Sequence, residues 1–246
     1  MIRSFLGLTF SEKELDEWVS EILRPDLQTS SRGIHCINSF SITEAWKAEE
    51  LLKIFQEDYL ICDGKPLSKV LKNREIQIPN LRGPSLMREV IRSSPPSVRH
   101  FFLGGSPETL VALVVKVKEL NPQLTISGYY SPPFSPNPYV DYSTWVDTLQ
   151  RADADVIWVG LGTPKQDYLV STLSKELPGT FIAVGAAFDF LAGSVPEAPQ
   201  IFQNSGFEWI YRLYREPKRL WRRYFTSNLL FLYLAFRYRI LNQSLR

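Results

Sequence analysis

The sequence is poor in the residues that bind metals and cross-link chains. Its 246 residues include two cysteines and two histidines, and neither pair has the close spacing of a zinc or iron–sulfur site. Cys36 and Cys62 each lie in an apolar run, "GIHCI" and "YLICDG", as expected of small core residues in a reducing compartment. His35 and His100 are far apart in sequence. No N-terminal apolar core marks the chain for export. The longest unbroken apolar run, "LLFLYLAF" from Leu229 to Phe236, falls well short of the roughly 20 residues a membrane-crossing helix needs. Nucleotide fingerprints are incomplete too. In "GLGTPK" Lys165 stands where the third glycine of G-x-G-x-x-G belongs, and no G-x-x-x-x-G-K-[ST] occurs, which disfavours nicotinamide and P-loop enzymes.

What the chain does have is ordinary globular composition, 44% hydrophobic and 22% charged, at a length that buries a sizeable core. Its charge is unevenly placed. Gly206 to Arg246 carries nine Lys/Arg against Glu208 and Glu216, a net of +7, which leaves −5 on the rest of a chain totalling +2. A mildly acidic body with a basic tail implies that the tail faces an anionic partner. The expected division is a core over 1–205 and a helical appendage over 206–246.

Short apolar runs alternate with helix-patterned segments. "SEKE" at Ser11 to Glu14 matches a capping box that opens a helix to about Leu23. "GIHCIN" precedes a helix predicted over Ile42 to Gln56, "YLICDG" one over Lys65 to Leu71, and "HFFLGG" one over Pro107 to Leu120. "LTISGYY" leads into a Pro-rich loop and a helix over Val146 to Arg151. "DVIWVGLG" precedes one over Gln166 to Leu177, and "FIAVGAAFDF" follows. Nearly continuous apolar strands between helices predict an α/β fold: a Rossmann-like, mostly parallel sheet with helices on both faces. In the tail, Pro217 predicts one helix to about Arg215 and another from Pro217 onward.

In an open parallel sheet, ligands bind beyond the carboxyl ends of the strands. Those ends read Asn38, Asp63-Gly64, Gly104-Gly105, Gly160 to Thr163, and Asp189. Gly and Asp are also common turn residues, so each position alone is no more than a turn. Together they exceed what turns require. "FFLGGSPET" and "VGLGTPKQ" put glycines before helix starts, where backbone N–H groups and the positive helix end suit a phosphate. "DAD" at Asp153 to Asp155 resembles a cation-binding Asp-x-Asp, but it precedes a strand instead of following one and reads as a solvated loop. Without a cation, something else must neutralise a diphosphate. Five arginines, Arg212, Arg215, Arg219, Arg222 and Arg223, fall within roughly a 100° arc at helical spacing. Guanidinium groups match phosphate oxygens. A solvated helix face and an RNA-binding surface are the competing readings of the same residues.

Four stretches, "VGLGTPKQD", "VGAAFDFLAG", "EAP" and "GFEWIYRLYREPKRLWRR", occur in the order and spacing of the WecG/TagA/CpsF family, glycosyltransferase family 26, which the chain resembles from about Gly33 to Tyr224. The resemblance implies transfer of an N-acetylmannosamine-type or related sugar from a UDP-sugar, and the mechanism expected is inverting, without metal or cofactor. The acceptor would be a lipid-diphosphate-linked saccharide in cell-surface polysaccharide synthesis. By position, Asp63 matches the family's general base, and Asn38, Gln166 and Asp189 match residues that hold the donor sugar. Gly160, Gly162 and Thr163 lie near its diphosphate. Arg212, Arg219 and Arg222 match arginines that close over the site; the strand-end reading adds Gly104 and Gly105 as supports for the diphosphate. The resemblance further implies a cytoplasmic protein held peripherally at the inner membrane face, with self-association masking the site beforehand. Three departures point to an altered donor or acceptor: Cys36 for a threonine, Ser131 to Phe134 ("SPPF") for Gly-Tyr-Phe, and Glu197 for a basic residue. A non-catalytic nucleotide-sugar sensor is the alternative function. A nucleic-acid-binding module is the other, and the acidic body argues against it.

Overall fold

The computed structural model describes residues 4–24, 30–72, 78–133, 143–199, 201–202, 208–215 and 217–244. A short antiparallel hairpin, β1 (Ser4–Phe5) and β2 (Leu8–Thr9), comes first. The six apolar runs then form β3 (Ser31–Ile37), β4 (Tyr59–Cys62), β5 (Arg99–Gly104), β6 (Thr125–Tyr130), β7 (Val156–Gly160) and β8 (Gly179–Ala183). They make one sheet in the order β4-β3-β8-β7-β5-β6, and every pairing is parallel. The two outward connections, β3 to β4 and β5 to β6, run to opposite edges. The crevice they leave lies above the central strands.

Alternation along the strands assigns two buried faces, as a sheet covered on both sides requires. One face carries Ile34, Phe102, Trp158 and Ile182 beneath α1 (Leu15–Ile22), α5 (Gly83–Ser93), α6 (Pro107–Leu120) and α9 (Ala187–Ala192). The other carries Phe101, Leu103, Ile157, Val159 and Phe181 beneath α7 (Ser143–Ala152) and α8 (Lys165–Glu176). Farther along that side, Ile37, Leu60 and Cys62 meet α2 (Ser39–Lys47) and α3 (Glu49–Glu57). A short α4 (Lys65–Leu71) follows β4. The β4 edge is capped by a lone parallel bridge from Phe10 to Leu60, which blunts an otherwise open ladder.

After residue 207 come α10 (Glu208–Arg215) and α11 (Pro217–Ser244); the expected break before Pro217 falls on Glu216, outside the described residues. The inner side of α11 joins the core: Phe231 and Leu234 are buried in one cluster with Phe5, Leu8 and Ile42. Its outer side shows Trp221, Phe225, Leu229, Leu232 and Phe236 to solvent. At about 100° per residue these five fall within an arc of roughly 80°, opposite the buried positions.

Local details differ from the expected ones for identifiable reasons. The capping box of α1 sits one turn later, where the Glu17 carboxylate accepts the Glu14 N–H at 2.7 Å. The single helix expected over Ile42 to Gln56 is two, because Ala48 adopts an extended conformation. "FIAVGAAFDF" is not strand throughout. It stops at Ala183, Gly185 turns at φ +59°, and α9 begins. Asp189 is therefore in the first turn of a helix and not at a strand end.

Candidate active site

A polar cavity of about 220 Å³ opens beyond the carboxyl ends of β3, β4, β7 and β8. Asn38, Asp63, Gly160, Gly162, Thr163, Gln166 and Asp189 all line it. Asn38 caps α2, its Oδ1 accepting the N–H groups of Phe40 at 2.9 Å and Ser41 at 3.2 Å. Its amide N–H₂ is what it can offer a ligand. Gln166 is buried and similarly constrained. Its Oε1 accepts from the N–H of Gly162 at 2.9 Å and of Gly185 at 3.1 Å, leaving its own N–H₂ as the donor. The Ser41 and Thr163 hydroxyls approach to 3.5 Å across the same floor.

The half-buried Asp63 is set by backbone. Its N–H donates to Ile37 O at 2.7 Å, and the next N–H, of Gly64, donates to Asn80 Oδ1 at 2.6 Å. The Leu81 N–H then donates to Cys62 O at 2.9 Å. This zipper lays the segment from Asn80 to Arg82 along the end of β4 and brings Arg82 into the cavity wall. Arg82 holds Glu208 of α10 through two nitrogens, at 3.2 and 3.0 Å, and Glu197 at 3.1 Å. Arg88 also pairs with Glu197. Burial alone would lower the pKa of Arg82, but Glu208, Glu197 and the charge of Asp63 outweigh it and raise it. Burial likewise works to raise the Glu197 carboxyl, and hydrogen bonds from Arg88 and Arg82 more than offset that, holding it below its usual 4.5. Burial, then the charges of Asp63 and Asp167, push the Cys36 thiol well above its ordinary value. It is an un-ionised, small wall residue.

A second cavity, of about 530 Å³, adjoins the first and shares Gly160 and Leu161 with it. Gly105, Ser106, Pro107, Ser131, Pro132, Pro133, Trp145 and Lys165 complete its lining. The Ser131 hydroxyl donates to Gly105 O at 2.7 Å, fixing the start of the Pro-rich loop against the end of β5. Glycine is required where the strand ends crowd. A Cβ on Gly104 would lie 2.5 Å from Gly160 O, and one on Gly160 would lie 2.8 Å from the Phe188 ring.

Several expected ligand contacts sit differently. Gly104 lines neither cavity; its role is that close approach to Gly160. The Gly105 N–H already donates to Gly160 O at 3.1 Å, and the Gly162 N–H to Gln166. These two amides are therefore not open donors for a phosphate. Asp153 and Asp155 both pair with Arg99 at the opposite end of the sheet. Arg212 lies in α10 and Arg219 and Arg222 in α11, but their side chains are outside the described residues, as is Phe134. Arg82 and Glu208 escaped sequence reasoning. Within "PNLRGPS" nothing marks Arg82 except its place before a Pro-led helix start.

The arrangement offers a carboxylate able to take a proton, amide donors aimed at hydroxyl or carbonyl oxygens, and a guanidinium suited to phosphate. No helix among the described residues is long and apolar enough to cross a membrane. The profile of the glycosyl transferase WecG/TagA/CpsF family matches residues 3–245. With nearly the whole chain covered, this protein belongs to the WecG/TagA/CpsF glycosyl transferase family.

Proposed function

We propose that the protein transfers a sugar, of N-acetylmannosamine type or related, from a UDP-sugar to a lipid-diphosphate-linked saccharide with inversion at the anomeric carbon. The observation that carries this reading is the convergence of Asn38, Asp63, Gln166 and Asp189 from four separate segments on one polar cavity. Asp63 takes the proton of the acceptor hydroxyl as its oxygen attacks in line. A carboxylate is a weak base toward an alcohol, so positioning carries much of the rate. The amide groups of Asn38 and Gln166, with Asp189, orient the sugar. The nucleoside fits the larger cavity across Gly160 and Leu161, with its diphosphate between the two.

In this reading Arg82, joined by Arg212, Arg219 and Arg222 of the appendage, takes the place of a divalent cation on the leaving diphosphate. The diphosphate and Glu208 then compete for Arg82. The exposed stripe from Trp221 to Phe236, beside basic residues of the same helix, suits the headgroup boundary of an anionic bilayer and so the membrane where the acceptor lies.

The test combines a thermal-shift screen across UDP-sugars with UDP release by wild type and Asp63→Asn, with and without chelator. A ligand that binds only the native state raises its melting temperature. Asp63→Asn should keep that shift and lose turnover by about 10²- to 10⁴-fold. Undiminished turnover in the folded variant removes Asp63 as the base. Binding without turnover on any lipid acceptor makes the protein a nucleotide-sugar sensor.

A further inference from the structure

His35 is fully buried under the sheet, on the face that α3 and α8 cover. Its Nδ1 lies 2.9 Å from Asp167 Oδ1, in the first turn of α8, and its Nε2 lies 3.0 Å from Asp58 Oδ2, the C-cap of α3. Phe55 packs edge-on to the ring. A neutral imidazole has one N–H and so can satisfy one of these carboxylates; an imidazolium donates to both. The other Asp167 oxygen, buried, has no hydrogen-bond partner, so His35 is the cation that allows this carboxylate to remain inside. Gly33 makes room for the cluster: a Cβ there would stand 2.8 Å from Asp58 Oδ2. Asp167 directly follows Gln166, whose amide oxygen ties together Gly162 and Gly185 in the floor of the polar cavity.

We propose that the buried Asp58–His35–Asp167 cluster is a positioning device, which clamps the first turn of α8 to β3 and so aims Gln166 into the polar cavity. The functional half of this inference rests on the donor occupying that cavity. The charged groups acting on His35 are the two carboxylates. On the surface, Lys175 of α8 pairs with Glu57 at 2.8 Å, and its charge also interacts with Asp58. Burial alone would lower the His35 pKa, but hydrogen bonds donated to Asp167 and Asp58 reverse that and raise it from 6.5 to about 9. A folded-state value above the unfolded one stabilises fully below about pH 6.5 and loses that contribution as pH rises through about 9. The clamp is therefore closed at neutral pH and slackens in alkali.

The chain has two histidines, so imidazole NMR reads the cluster directly. In the wild-type protein, with the signal assigned through His35→Gln, His35 should carry both ring protons at pH 7. A neutral His35 at pH 7 overturns the proposal. Positioning is read through the amides of Gly162 and Gly185, which should exchange at least several-fold faster in His35→Gln. Unchanged exchange at both sites equally overturns it. Neither measurement needs a donor, so they stand even if no UDP-sugar is turned over. With a donor, His35→Gln should raise KM about tenfold, the worth of roughly one misplaced hydrogen bond. It should add little to the KM of Gln166→Ala, because both changes break one linkage; fully multiplicative effects count against the clamp. If His35→Gln does not fold, Asp58→Asn keeps the shape and should move the same signals in the same direction by less.

Discussion

The two cavities share Gly160 and Leu161 but are built from different materials. In the polar cavity nearly every functional group is already engaged: Asn38 caps a helix, Gln166 joins two glycine amides, and Arg82 holds two carboxylates. The larger cavity is shaped by Trp145, three residues at the start of a Pro-rich loop and the turn before α6. One is preorganised by hydrogen bonds that set direction; the other offers volume and apolar contact. Under the proposed function, the difference separates chemistry from recognition. Directional groups suit the reacting centre, whereas a flat, weakly directional ligand such as a base needs a shaped wall.

Variants that strain this contrast should differ in size of effect. Arg82→Ala is expected to be the most damaging, since it leaves Glu197 and Glu208 facing each other in a half-buried wall. The loss should be about 3 kcal/mol of stability, read by denaturant unfolding, together with most UDP-sugar affinity. Retained affinity would take Arg82 off the diphosphate. Gly160→Ala strikes the shared wall, where the new methyl meets Phe188, and should cost about 2 kcal/mol by overpacking while weakening uridine and UDP-sugar alike. Ser131→Ala frees the loop on the apolar side alone. Losing one hydrogen bond of about 1 kcal/mol should lower uridine affinity a few-fold by calorimetry and leave the donor-sugar preference untouched. Glu208→Gln is the mildest. It removes a competitor for Arg82, so UDP should bind slightly tighter; weaker binding would make Glu208 a ligand contact instead.

Much of this architecture could be read from the chain. Runs such as "HFFLGG" and "DVIWVG" are apolar at successive positions because both faces of their strands are covered, and that pattern survives without a structure. The strand ends followed, and with them Asn38 and Asp63, whereas Gln166, inside a helix, was marked only by the family resemblance. Other features depend on partners far away in sequence. Arg82 reaches the cavity through hydrogen bonds of its neighbours to Cys62 and Gly64, which no local pattern encodes. Strand order depends on which edge each crossover takes, again a non-local choice. Within "VGAAFDFLAG" the residues suit a strand as well as a helix, and a positive φ at Gly185 decides between them. Nothing local marks His35, because its two carboxylates are 23 and 132 positions away.

The hairpin at residues 4–9 gains meaning from what rests on it. The Phe5 ring meets Tyr238 and Phe231 edge-on, with centroids 4.9 and 6.3 Å away, so the first strands provide the seat of α11. Excising the appendage would strip the lid from Phe5, Leu8 and Ile42 and leave a sticky wound, so truncation is a poor way to ask what the tail does. A dye placed beside the hairpin would instead act as a sentinel, changing its emission whenever the helix leaves its berth.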